Sequence, residues 1–411
     1  MKKNIFKLKN SFPKEIFNNL EFKKLSNNFD QIFEGIQEDK NKFMNTMNLF
    51  HKKYVFNFTI KDLKKFKKFK RIAIIGMGGS ILGAEAIYEL LSNKIQKEVH
   101  FFDDLSNKDI LKFKKNRKLQ NILFLIISKS GNTLETLTNT IILDVLKKNK
   151  KNIIIISEKN NNILHSLSKK LGVFFIEHKK NIGGRYSVLT EVGLVPAYLM
   201  GLNILNFRKN INKFFQNNAK SILKDNALKL ASLSESNKYS NFIMLNYSPE
   251  LEKFLYWCQQ LIGESLGKKG KGFLPVVSNV PKDHHSLLQL YLDGPKDKIF
   301  NIFSTAESTK LRIKSNKIDS LNFLNKKSLS KIKNAQKDAL IEIFKKNKIP
   351  YREFVISGYD EKILGELFSY FILETVCIAK LIGVNPFNQP AVEQTKTLTK
   401  KNLVKSSKKN F

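Results

Sequence analysis

The chain is poor in several things, and each shortage narrows what it can be. Only two cysteines occur in 411 residues, Cys258 and Cys377. They lie far apart in apolar sequence, so neither a disulfide framework nor a paired metal site is expected, and both read as core residues. No apolar run approaches the roughly 20 residues that a membrane-spanning helix needs. The basic start MKKNIFKLKNSFPKEIF is not followed by the sustained apolar stretch of a secretory leader. The sequence therefore reads as cytoplasmic, with no membrane partner. Acidic residues are scarce, 36 against 72 Lys and Arg, giving a formal net charge of +36. Such an excess raises nucleic acid as a partner, but specific binding needs a clustered basic footprint. Here lysine is spread over nearly every surface-like segment, together with Asn, Ile and Phe. We read this as a chain-wide bias and expect no nucleic-acid partner, although the positive field would draw small phosphorylated anions.

What is present is a repeating pattern of short apolar runs bounded by turn residues: 71–76, 99–102, 122–127, 152–156 and 173–176. After a helical stretch near 208–236 a second series follows, at 242–246, 273–277, 299–303 and 353–356. Runs that are apolar throughout and alternate with helices predict doubly wound α/β architecture with mostly parallel sheets covered on both faces. The length accommodates two such domains. We place them at 51–205 and 206–383, with a helical N-terminal extension over 1–50 and a C-terminal segment and basic tail over 384–411. Apolar residues at helical spacing predict a long packed helix over 359–383, ended by Gly383. The lysine-rich stretch from 397 onward is expected to fray.

Several turns in this frame carry chemistry. LIISKSGNTLET, 125–136, runs from a strand into a helix start, the place where open sheets bind ligands. Ser128, Ser130 and Thr133 offer hydroxyls, Lys129 a charge, and the following helix its free N–H groups, a set that suits phosphate. The plainer reading is that these residues only cap the helix. IIGMGGSILG, 74–83, suggests a dinucleotide fingerprint with Asp103 or Asp104 as the ribose acid. Ile81 stands where the third glycine would be needed, however, so the spacing fails. Gly78, Gly79 and Ser80 still permit close backbone approach to a ligand such as a sugar hydroxyl.

NIGGRYS, 181–187, places Arg185 after two glycines, in a chain where arginine is rare. Its guanidinium could steady negative charge developing on an oxygen; a surface arginine is the plainer reading. GESLGKKGKG, 263–272, offers Glu264 just after an apolar helical stretch, where partial desolvation suits a general base, with Gln260 one turn earlier on the same face. A solvated glutamate near a helix end is the commoner case. DHHS, 283–286, has no accompanying ligands at metal spacing, so no metal is expected; one histidine could shuttle a proton.

Taken together, IGMGGSILG, SKSGNTLET, NIGGRYS, ESLGK, HSLLQL and FNQPAVEQTK resemble, in order and approximate spacing, the glucose-6-phosphate isomerase family, over about residues 70–396. GGRYS and FNQPAVEQTK are the most specific pieces. The resemblance implies two sugar-isomerase domains of flavodoxin-like topology, a homodimer with a shared active site, a sugar-phosphate substrate and no cofactor. It puts Ser128, Lys129, Ser130 and Thr133 in the phosphate loop, and Gly79 and Ser80 in the sugar-contacting turn. Glu264 takes the place of the base and Arg185 that of the arginine beside the reacting carbons. His285 and Lys396 take the places of ring-opening groups, and Gln260 and Gln389 those of ligand-contacting glutamines. His285 is preferred over His284 by its spacing to Gln289 and Leu290. Departures are Leu266 for an asparagine, His284 for a glutamine, Ser130 and Asn132 for threonines, and a chain short for the family. Two other readings stay open: an isomerase that also accepts mannose 6-phosphate, and a non-catalytic sugar-phosphate sensor.

Overall fold

Ile122–Ile127 is buried at all six positions, as expected of a central strand with neighbours on both edges and helices on both faces. It is one of ten strands in the computed structural model, which describes residues 6–115, 121–147, 150–306, 311–314 and 319–407. The strands are β1 (Phe6–Ser11), β2 (Arg71–Ile75), β3 (Glu98–Phe102), β4 (Ile122–Ile127), β5 (Ile153–Ser157), β6 (Phe174–Glu177), β7 (Asn241–Asn246), β8 (Leu274–Asn279), β9 (Lys298–Thr305) and β10 (Tyr351–Ile356). Each apolar run read from the sequence forms one of them.

The first sheet has the order β3-β2-β4-β5-β6, parallel throughout. Counted within its own unit this is 2-1-3-4-5, the flavodoxin-like order, whose ligand crevice lies where the winding reverses, between β2 and β4. The glycine-rich turn after β2 and the SKSGNT loop after β4 flank that point. The second sheet, β1-β10-β9-β7-β8, repeats the order 2-1-3-4 in its parallel strands. Its outer edge is closed by β1, antiparallel to β10 with Phe6 opposite Ile356. The N-terminal stretch, expected to be helical, thus opens with a strand: Phe6 is buried in the core while Lys7 and Lys9 face outward, as an edge strand with one covered face allows.

The helices that shape the site are α1 (Asn19–Asn41), α2 (Leu82–Leu90), α3 (Leu134–Ile142), α4 (Asn217–Glu235), α5 (Glu252–Leu266), α6 (Glu361–Leu381) and α7 (Val392–Ser407). α1 buries Leu25, Phe29, Phe33 and Ile36, the stripe of an amphipathic helix. α4 begins later than the periodicity predicts. The preceding residues are held in turns by Asn210, donating to Glu366 at 3.1 Å, and Asn212, donating to the Phe50 carbonyl at 2.9 Å. α6 is buried over most of its length and capped by Asp360; Gly383 beyond it has φ +72°. Inside the core Arg352 pairs with Glu374 and donates to Asn301 and Asn226, so the buried charge has its partners. Cys258 and Cys377 are both buried.

Residues 397–407 differ from the frayed state expected of the stretch from 397 onward, whose last four residues lie outside the described ones. α7 is a regular helix, with Lys396 paired to Glu393 at 2.7 Å and Thr397 and Thr399 bonded back to carbonyls one turn earlier. Its residues 392–405 are exposed, and these local bonds together with helix propensity support it. Among the described residues no helix is long and apolar enough to cross a membrane.

Candidate active site

Two glycine turns meet at the mouth of the first sheet. A Cβ on Gly79 would stand 2.2 Å from the Gly184 carbonyl carbon and 2.4 Å from Arg185 N, so only bare backbone allows the turn after β2 to touch the GGRYS turn. This contact fixes Arg185 beside the crevice. Its guanidinium is 2% exposed and donates to the Ser265 hydroxyl at 2.9 Å, Glu264 Oε2 at 2.9 Å and Gln389 Oε1 at 3.0 Å. The second terminal nitrogen donates to the carbonyls of Pro386 and Asn388. Here a surface arginine is ruled out. The fork ties α5 to the segment after α6, using the planar geometry that distinguishes arginine from lysine.

Gln260 and Glu264 lie four apart on α5 and share a face. Gln260 Nε2 donates to Glu264 Oε1 at 3.0 Å while Arg185 donates to the other oxygen, so both carboxylate oxygens are oriented. The Glu264 side chain remains 36% exposed. A cleft of about 570 Å³ opens beside it, lined also by Leu82, Asp103, Lys253 and Tyr256, within the usual size of small-molecule sites. Lys268 donates to the Ser265 and Asn385 carbonyls at 2.9 and 2.7 Å. Burial, and then Arg185, pull its pKa down to about 8.

In the SKSGNT loop Ser128 Oγ and Thr133 Oγ1 lie 2.8 Å apart, and Gly131 N donates to Ser128 Oγ at 3.2 Å. Thr133 precedes α3 without capping it through its side chain. The capping interpretation therefore fails for Thr133, and the amides of the first turn of α3 keep their capacity for an anion. Lys129 sits 3.7 Å from Glu158, its pKa lowered by burial more than Glu158 raises it. Ser130 is exposed and Ser80 buried.

Two predicted residues stand apart from this cluster. His285 lies in the turn Lys282–His285 after β8, exposed and, among the described residues, with no hydrogen-bond or ion-pair partner. Its neighbour His284 is half-buried and lies 3.1 Å from the Tyr247 hydroxyl. Lys396 is on exposed α7, paired with Glu393 and, among the described residues, bonded to neither Glu264 nor Arg185. Within one chain the structure thus brings together Arg185, Glu264, Gln260, Gln389 and the glycine turn.

A family model described as phosphoglucose isomerase matches residues 36–275. The chain belongs to the phosphoglucose isomerase family. A glucose-6-phosphate isomerase of Methanocaldococcus jannaschii is 33% identical over 354 residues, 82% of this chain and 86% of the relative. Another from Mycoplasmopsis synoviae is 34% identical over 349 residues, 79% of this chain and 80% of the relative. Coverage this even on both sides shows that the chain is not unusually short beside these family members. Among solved structures, a glucose-6-phosphate isomerase of Chlamydia trachomatis aligns with a TM-score of 0.77 at 16% identity, over 98% of this chain and 89% of that one. A hypothetical protein of Thermus thermophilus reaches 0.82 at 23% identity, over 97% and 100%; these two likenesses speak for the fold.

As a phosphoglucose isomerase family member the chain is an isomerase, and two of its departures from the family pattern, Leu266 and Asn132, fall where they are accommodated. Leu266 is buried in the core, and Asn132 accepts from Ile163 N at 3.0 Å, bracing the start of the helix Ile163–Leu171. Sequence reading passed over Ser265 and Tyr186, whose hydroxyls lie 2.7 Å apart beneath Arg185. Both stand inside quoted motifs, next to Glu264 and Arg185, and that adjacency was the available signal. The Pro386 and Asn388 carbonyls left none, since a backbone acceptor has no residue signature.

Proposed function

We propose that the protein interconverts glucose 6-phosphate and fructose 6-phosphate, with Glu264 as the proton-transferring base. The observation that carries this reading is the buried Arg185 fork holding one oxygen of the Glu264 carboxylate while Gln260 holds the other. A base fixed in this way, open to a cleft, can take the C2 proton of the open-chain sugar and return it at C1 through a cis-enediolate. Arg185, a permanent cation next to the base, steadies the enediolate oxygen. The two hydrogens stay within the sugar, so the balance calls for no external oxidant or reductant.

The remote phosphate sits on Ser128, Lys129, Ser130 and Thr133 with the open N-terminus of α3, and Gly79 and Ser80 meet the sugar. Binding energy gained there positions the reacting carbons. Lys129→Ala combined with Ser130→Ala should raise KM for fructose 6-phosphate by about 10²-fold or more, since hydrogen bonds to charged groups contribute about 1.5–3 kcal/mol each. An unchanged KM in steady-state kinetics places the phosphate elsewhere.

Ring opening is assigned to His285 helped by Lys396, and the protein is assigned as a homodimer. The exposure of His285, which has no hydrogen-bond or ion-pair partner among the described residues, supports its reaching a second copy's site, as does the exposed Leu398 on α7. Specific activity is expected to collapse on dilution in step with dissociation seen by sedimentation. Full activity in a monomeric population would remove the shared site.

A further inference from the structure

The carboxyl ends of β4, β5 and β6 form a row, and one group in it has no role in the mechanism above. His178 N donates to the Ser157 carbonyl at 2.8 Å, and Glu158 N donates to the Lys129 carbonyl at 3.1 Å, which stitches the three strand ends side by side. The His178 imidazole is 2% exposed. Its Nδ1 lies 3.0 Å from the Lys179 carbonyl oxygen. A carbonyl only accepts, so Nδ1 carries hydrogen, and Nε2 of the neutral ring is then an acceptor. Burial, and then the charge of Lys129, push the His178 pKa down to about 4, which keeps the ring neutral at pH 7. Nε2 is buried and has no hydrogen-bond partner among the described residues, an uncommon state for a polar atom in a folded protein.

A donor for Nε2 has to come from something that can reach so enclosed an atom. A bound sugar cannot touch it without displacing the wall. Lys129 is the candidate: it follows β4 in the same row of strand ends, with β5 between it and His178, its charge acts on His178, and it carries three N–H donors. Its other partner, Glu158, stands 3.7 Å away, beyond hydrogen-bond length. We propose that His178 is a positioning residue for Lys129. When phosphate occupies the loop, Lys129 directs one N–H to His178 Nε2 and another to a phosphate oxygen, so the imidazole aims the ammonium. The inference rests on the phosphate reading of the loop given above.

Two substitutions separate the ring's two nitrogens. Glutamine sets its terminal amide near the place of Nε2, whereas asparagine sets its amide near Nδ1 and keeps only the bond to Lys179. His178→Gln is expected to retain KM for fructose 6-phosphate, and the inhibition constant of inorganic phosphate, within about threefold. His178→Asn should raise both by about ten- to hundredfold with kcat little changed, the worth of one charge-assisted hydrogen bond. In a Lys129→Ala background, His178→Asn should add nothing. Thermal melts on all variants report folding separately. The proposal is overturned if asparagine behaves as wild type and glutamine does not, or if the two variants behave alike. If Lys129→Ala itself leaves KM unchanged, the phosphate reading falls and this inference with it; if Lys129→Ala raises KM while both His178 variants match wild type, only the inference falls.

Discussion

Glu264→Gln is expected to lower kcat for fructose 6-phosphate by about 10²–10⁴-fold, the usual contribution of a positioned general base. Glutamine has the shape of glutamate, so the contact with Gln260 and the cleft beside α5 persist. Sugar-phosphate binding, followed by calorimetry, should therefore stay close to wild type while turnover is lost. Retention of turnover would sink the assignment, because among the described residues lining the cleft no other carboxylate has both oxygens oriented by donors in this way.

The second large effect is expected at Arg185. Arg185→Lys keeps a cation but replaces a rigid planar fork by a compact ammonium with three donors. The fork now serves Ser265, Glu264, Gln389 and two carbonyls of the segment 386–388. A lysine cannot span these positions. We expect kcat to fall by about 10²–10³-fold, the loss typical of a donor aimed at a developing oxyanion. Hydrogen exchange of residues 385–389 should rise in parallel, since that stretch loses its anchor to α5. A variant with wild-type kcat and accelerated exchange would reduce the arginine to a structural clamp.

Much of this was legible in the sequence, for identifiable reasons. Parallel strands covered on both faces are apolar at every position, so runs such as Ile122–Ile127 announce themselves. Strand β1 did not, because Phe6 and Leu8 alternate with lysines in a short edge strand whose partner, β10, lies some 340 residues away in sequence. Helix α7 was obscured by its lysines, which suggest a solvated end although the local spacing supports a helix. At the site, Arg185 and Glu264 could be picked out by their motifs. Their mutual hydrogen bond could not, nor could the meeting of Gly79 with Gly184, since both depend on how segments distant in sequence pack together. His285 and Lys396 stand apart from the cluster within one chain. His178 was invisible because a histidine before two lysines carries no pattern; only its orphaned nitrogen in the fold sets it apart.

The most direct test is conversion of fructose 6-phosphate to glucose 6-phosphate by the purified protein with a chelator present and Glu264→Gln run alongside. Chelator-resistant turnover that disappears in the variant is the predicted result. A folded wild-type protein that binds both sugar phosphates and converts neither would contradict the account.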